Sequence, residues 1–187
     1  MADKSNSVTV TLEDGQKIQC LRGTPVKAVI SSFKAPSGLD YVGALVNNDV
    51  VSISYPVEVD STVKLLTLAD SHGQRIYRRS ICFLLAKTVR EIFPTARFSV
   101  EHSLGNGFYC SFELNGGEGT HPGISKGQLD AIEKRMRELA AKSIPIERRK
   151  ISFTDAMKQF ESEKQMDKYN LLRFRNPPKI VVFWCDG

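Results

Sequence analysis

Val8-Thr9-Val10-Thr11-Leu12-Glu13-Asp14-Gly15-Gln16-Lys17-Ile18-Gln19-Cys20 is the stretch from which the fold unrolls. Val8, Val10 and Leu12 alternate with Thr9 and Thr11, the two-residue period of a strand with one buried face. Asp14-Gly15 supplies a tight turn, because glycine accepts the positive φ that short hairpins require. Ile18 and Cys20 then face inward on the return strand. Next, Thr24 reads as a helix N-cap and Pro25 as the first helical residue, where a missing N–H costs nothing. Val26, Val29, Ile30 and Phe33 share one face of the short helix that follows. Further strands are expected over residues 41–46, 50–52 and 62–68, with a turn at Asn47-Asn48 and a loop at Tyr55-Pro56.

Beyond residue 70 the period changes. Ile81, Leu84, Leu85, Thr88, Val89 and Ile92 recur at helical spacing, predicting an amphipathic helix over 78–93 that Pro94 ends. Arg79 and Phe83 fall on its other side, one turn apart, so that side reads as covered or as lining a cleft. Strands are expected over 98–100 and 108–113, then a glycine-rich loop from Asn115 to Gly123. Ser125 and Gln128 form a capping box for a helix carrying Leu129, Ile132, Met136 and Leu139. Glu133–Arg137 and Asp130–Lys134 are its favourable surface pairs. A basic strand over 146–152, a helix capped by Thr154 and an apolar strand over 180–184 complete the chain. The class is α+β, with long helices on one face of an antiparallel sheet.

Hairpin, helix, then more strands is the order of a β-grasp, ubiquitin-like fold. Gly43-Ala44-Leu45-Val46-Asn47 and Val57-Glu58-Val59-Asp60-Ser61-Thr62-Val63 resemble the corresponding strands and acidic turn of TGS domains. That resemblance covers residues 1–70 and implies an accessory domain that regulates or contacts a ligand. In residues 71–187, Arg78-Arg79-Ser80-Ile81-Cys82-Phe83-Leu84-Leu85, Phe93-Pro94, Asn106-Gly107-Phe108-Tyr109 and Ile132-Glu133-Lys134-Arg135-Met136 follow one another at family-like spacings. They resemble the second additional domain of threonyl-tRNA synthetase, which is shared with alanyl-tRNA synthetases and free-standing editing proteins.

The departures from that family bear on chemistry. Where it carries His-x-x-x-His on the first helix, this sequence has Arg79 and Phe83. A guanidinium stays protonated and phenylalanine has no lone pair, so neither can bind a metal or activate water. The family's Cys-x-x-x-His is represented by Cys185 alone, and Ser111 stands where an acidic residue is expected. The arrangement looks like the front of bacterial uridine-kinase-related proteins, in which such domains precede an ATP- and Mg-dependent nucleoside kinase domain. Nothing matches the phosphate-binding loop Gly-x-x-x-x-Gly-Lys-Ser/Thr, so a kinase domain would lie in cis beyond Gly187. The strand at 180–184 lies so near the end that a truncated second domain is expected.

The resulting expectation is a non-catalytic module that binds a nucleoside, nucleotide or amino-acid-like ligand, with no metal and no cofactor of its own. Arg79, Phe83, Asn106, Tyr109 and Cys185 are its candidate ligand residues, and Arg78, Arg148 and Lys150 its candidate phosphate or RNA contacts. The alternatives are an aminoacyl-tRNA editing (deacylase) domain of a threonyl-tRNA synthetase-like protein and a purely structural or oligomerising module.

Bulk properties add little. The 187 residues carry a net charge of +5, which permits phosphate-bearing partners without requiring them. Arg148-Arg149-Lys150 and Arg173-Phe174-Arg175 are the densest basic elements; they read either as RNA contacts or as a solvated face. No run approaches the roughly 20 apolar residues of a membrane span. Cys20, Cys82, Cys110 and Cys185 form no Cys-x-x-Cys pair and the polar stretch Met1 to Ser7 offers no apolar run of signal-peptide type, so the expected setting is cytoplasmic. His72, His102 and His121 have no second ligand at metal spacing.

Overall fold

A computed structural model describes residues 6–31, 33, 38–105, 107–114 and 123–185. The chain is mixed α+β and divides into two compact units, residues 1–141 and 142–187.

The first unit begins with β1 (Ser7–Leu12) and β2 (Lys17–Leu21), joined through Gly15 at φ 83°. Thr24–Pro25 is a two-residue strand, β3, paired with Pro56–Val57, and the helix α1 follows at Val26–Ile30. Thr24 is therefore not the N-cap. Its hydroxyl donates to the Leu21 carbonyl at 2.6 Å, and Pro25 takes the cap position in extended conformation. Next come β4 (Gly43–Val46), β5 (Asp49–Val51), β6 (Pro56–Val57) and β7 (Ser61–Leu66).

Five of these strands form one sheet in the order β2-β1-β7-β4-β5, with β1 and β7 parallel at its centre. Val8, Val10, Leu12, Ala44, Val46 and Val63 bury their side chains on one face against Val26, Val29 and Ile30 of α1. Alternation in β1 decides which residues these are, because successive side chains point to opposite faces. The β4–β5 turn places Asn47 and Asn48 at φ 49° and 70°, a left-handed pair that asparagine tolerates. Asn47 also accepts a hydrogen bond from the Thr62 N–H through its Oδ1 at 2.9 Å, tying the turn to β7.

Helix α2 spans Ser71–Ile92, seven residues longer at its start than its apolar period predicts. Its first turn lies against the sheet: a Cβ on Gly73 would stand 1.9 Å from the Thr67 carbonyl oxygen. Ile76 covers Gly43 of β4 in the same way, with a Cβ there meeting its Cδ1 at 2.4 Å. Residue 70 is the junction between the sheet and α2. Asp70 points back rather than capping α2, and its carboxylate accepts from the Thr67 N–H and hydroxyl at 2.8 and 3.2 Å.

The ribbon β8 (Arg97–Leu104) and β9 (Gly107–Glu113) is a separate antiparallel pair. α3 (Lys126–Ala141) begins on the predicted capping box: Gln128 Oε1 accepts from Ser125 N–H at 2.8 Å, and Ser125 Oγ accepts from Gln128 N–H at 3.3 Å. Glu91 of α2 joins the two helices, accepting from Lys87 and from Arg135 of α3, both at 2.9 Å. Thr88, Val89, Ile132 and Leu139 are the buried side chains of the two helices.

The second unit holds β10 (Glu147–Ser152), α4 (Phe153–Ser162), α5 (Met166–Leu172) and β11 (Lys179–Trp184). β10 and β11 pair antiparallel, and α4 packs on both, burying Ala156 and Phe160. The cap of α4 is Ser152, whose Oγ accepts from Asp155 N–H at 3.1 Å, and not Thr154.

Candidate functional site

The β8–β9 ribbon carries a cluster of hydrogen-bonded polar side chains. Val100 pairs with Cys110 and His102 with Tyr109, so Glu101 is the extra residue of a β-bulge. Bulges re-aim side chains, and here the glutamate turns onto the face that holds Ser99 and Ser111. Ser111 Oγ donates to Glu101 Oε1 at 2.8 Å, Ser99 Oγ donates to the same oxygen, and the two hydroxyls are 2.9 Å apart. These hydrogen bonds, Ser99's first and then Ser111's, hold the Glu101 carboxyl below its ordinary range, with help from the neighbouring His102. The result is an exposed, ionised carboxylate with two hydroxyls against it. Beside it Tyr109 stacks on His102, ring centroids 5.0 Å apart.

The other face of the ribbon looks toward α2. Phe112 meets Phe93 edge-on at 5.5 Å, and Cys110 lies close enough to Cys82 for the two thiols to influence each other. Burial, then Cys82 and Glu101, push the Cys110 thiol up. It is therefore a protonated thiol at neutral pH, a packing group rather than a nucleophile.

Of the residues singled out from sequence, Arg79 and Phe83 stand on α2 as read, the first exposed and the second half-buried. Tyr109, 53% exposed, alternates with Cys110 and so points away from α2. The structure does not gather Tyr109 with Arg79 and Phe83 into one cleft. Arg78 is half-buried on α2, and Asn106 lies outside the described residues. Cys185, Arg148 and Lys150 belong to the second unit, Cys185 half-buried just past β11, the two basic residues exposed on β10. His121 and most of the glycine-rich loop also lie outside the described residues. Among the described residues no group of three or more His, Cys, Asp or Glu side chains could hold a metal ion.

Sequence reasoning missed Glu101. Where an acidic residue was expected on β9, Ser111 stands, but the carboxylate arrives from the partner strand. The signal was the hydroxyl pair Ser99 and Ser111, which become neighbours once the hairpin register is known.

No protein-family model matches the chain. The chain is similar to threonine–tRNA ligases. It is 34% identical over 155 residues to that of Polaromonas sp. (strain JS666), 31% over 165 residues to that of Parabacteroides distasonis, and 28% over 178 residues to that of Desulforamulus reducens. These alignments cover 83%, 88% and 95% of the chain but 24%, 25% and 27% of the ligases. The chain thus spans about a quarter of the length of the curated relatives it matches.

These relatives correct the expectation of a uridine-kinase-related protein. The similarity runs along nearly the whole chain and leads to tRNA ligases, so the non-catalytic front end of a nucleoside kinase is the wrong reading and the tRNA-synthetase alternative is the better one. Replacement of the two helix histidines by Arg79 and Phe83 does not carry the chain away from the ligases. The expectation of ATP and Mg rested on the kinase reading alone. No described helix is long and apolar enough to cross a membrane.

Proposed function

We propose that this chain is the editing-type, aminoacyl-tRNA-recognising region of a threonyl-tRNA synthetase-like protein, acting in the cytoplasm. The observation that carries the reading is the similarity to threonine–tRNA ligases along 83–96% of the chain. The first sheet, with first and last strands parallel at its centre and one helix across a face, supports a β-grasp domain of TGS type. The four free cysteines fit a reducing compartment.

The recognition chemistry sits on the β8–β9 ribbon. An aminoacyl ester presents an α-ammonium group beside an adenosine. The Glu101 carboxylate, held ionised, is an acceptor for that ammonium, and Tyr109, backed by His102, is a surface on which the adenine stacks. α2 offers Arg79 and Phe83 in place of water-activating imidazoles. Glu101 is therefore the described group best placed to take a proton from water, and it is a weak base because its pKa is lowered.

The test compares seryl-tRNA, threonyl-tRNA and uncharged tRNA on the full chain, measuring both binding and release of amino acid. Charged tRNA should bind more tightly than uncharged tRNA by up to about tenfold, the lower end expected for a hydrogen bond to a charged group at an exposed site. Glu101→Gln should erase that difference. Release of serine above the spontaneous rate, lost in Glu101→Gln, would add deacylation to recognition. Equal affinity for charged and uncharged tRNA would overturn the reading.

A further inference from the structure

The second unit holds ten Lys and Arg against six Asp and Glu, so 46 residues carry four of the chain's five net positive charges. The register of its ribbon sorts them. Arg148 lies opposite Phe183, Lys150 opposite Val181 and Ser152 opposite Lys179. Directly opposed residues share a face, about 5 Å apart at Cβ. These six therefore form one surface, a β10 row of Arg148, Lys150 and Ser152 beside a β11 row of Phe183, Val181 and Lys179.

The intervening pairs form the other surface. Arg149 donates to Glu147 at 3.0 and 2.8 Å and lies 4.9 Å over the Trp184 ring, while Ile151, Ile180 and Val182 are half-buried on the side of α4. The first surface has no such cover. Phe183 is 54% exposed and Val181 41%. Arg148, Lys150 and Lys179 have no side-chain partner among the described residues. The same unit also exposes Phe174, with the Arg173 guanidinium 4.6 Å over its ring.

An exposed ring flanked by unpaired cations is the combination that holds single-stranded nucleic acid: the charges follow the phosphates and the ring stacks a base. Exposed valine and phenylalanine set this face apart from an all-polar solvated one, and the three cations beside them favour a phosphate-bearing partner. We infer that the Arg148/Lys150/Lys179/Val181/Phe183 face of the β10–β11 ribbon is a docking surface for single-stranded RNA. This deepens the tRNA reading by naming an RNA face, and it rests on that reading only for which RNA is bound; the charge and ring chemistry stand without it.

The probe is a fluorescent twelve-residue oligouridylate, titrated with the full chain over a salt series. A site that neutralises three phosphates gives a slope of log K against log salt of about −2, at about −0.7 per phosphate. Arg148→Gln with Lys150→Gln should cut the slope to about −0.7. Phe183→Ser should weaken binding about 5-fold to 150-fold, the range for loss of one stacked base, and leave the slope intact. Lys158→Gln, an exposed cation of α4, should change neither, and circular dichroism verifies the fold of each variant.

Competition separates this inference from the tRNA reading. If oligouridylate binds through these residues while charged and uncharged tRNA bind alike, the face stands and the aminoacyl-tRNA reading falls. If charged tRNA binds selectively but neither Phe183→Ser nor the double variant alters RNA affinity, the face is refuted. Binding to phosphatidylserine vesicles with none to oligouridylate would likewise overturn it.

Discussion

Replacing Gly73 by alanine tests the seating of α2 on the first sheet. The added Cβ would lie 1.9 Å from the Thr67 carbonyl oxygen, 2.8 Å from its carbon and 3.2 Å from a Val42 methyl. The first two atoms are backbone and cannot rotate away, so the helix start must move by more than 1 Å or the end of β7 must give. Overpacking of this kind costs about 3 kcal/mol, the upper end for inserted methyl groups. Alanine returns nearly 1 kcal/mol in helix propensity, leaving a net loss of about 2 kcal/mol. For a unit of this size that is a fall in Tm of about 5–10 °C. The assay is thermal unfolding followed at 222 nm, with urea unfolding as a check. Gly127→Ala in α3 is the matched control: nothing lies within 4 Å of its Cβ, so it should be neutral or stabilising by about 0.5 kcal/mol. A Gly73→Ala protein as stable as the parent would refute the close approach of α2 to Thr67.

Two further substitutions probe the α2–α3 pair. For the Glu91 carboxyl, burial is the largest single effect and pushes it up, but hydrogen bonds and charge from Lys87 and Arg135 together outweigh it and bring it below its ordinary value of 4.5. A lowered carboxyl stabilises fully above the unfolded value and loses that contribution as pH falls through the folded one. Glu91→Gln should therefore cost about 1 kcal/mol at pH 7 and progressively less as pH falls below 4.5, measured as urea midpoints across that range. The Thr88 hydroxyl is fully buried with no hydrogen-bond partner among the described residues. Thr88→Val should leave stability unchanged or raise it by about 1 kcal/mol, against the usual loss for a core substitution, as read by the same unfolding curves.

The first sheet was legible because one face of it is buried and the turns are chemically marked. Val8, Val10 and Leu12 announce β1, Gly15 takes the positive φ expected of it, and Asn47 and Asn48 form the expected turn. The helix α3 was legible down to the Ser125–Gln128 reciprocal bonds. What failed were choices between adjacent capping residues. Thr24 and Thr154 look like N-caps in sequence, but Pro25 and Ser152 hold those positions, because β3 and β10 extend far enough to decide where each helix begins. The start of α2 was misread for a related reason. The apolar period first shows at Ile81, whereas Gly73 is there so that the helix can touch Thr67, a tertiary demand no local pattern carries.

The site was less legible still. Arg79 and Phe83 were found through what they lack, two imidazoles, and that absence led toward the wrong parent protein. Glu101 was invisible because its importance depends on a bulge: moved one residue along β8, the same glutamate would not meet Ser111. The basic run Arg148-Arg149-Lys150 was visible, but only pairing with β11 shows that its middle member turns away, onto Glu147 and Trp184, while its outer members flank Phe183.

Backbone amide shift mapping of the full chain with a non-hydrolysable seryl-amide of 3′-amino-adenosine interrogates the recognition site most directly. Perturbations centred on Ser99, Glu101, His102, Tyr109 and Ser111, and abolished by Glu101→Gln, are the expected result. A silent ribbon, with shifts elsewhere or none at millimolar ligand, would contradict aminoacyl-adenosine recognition by this chain.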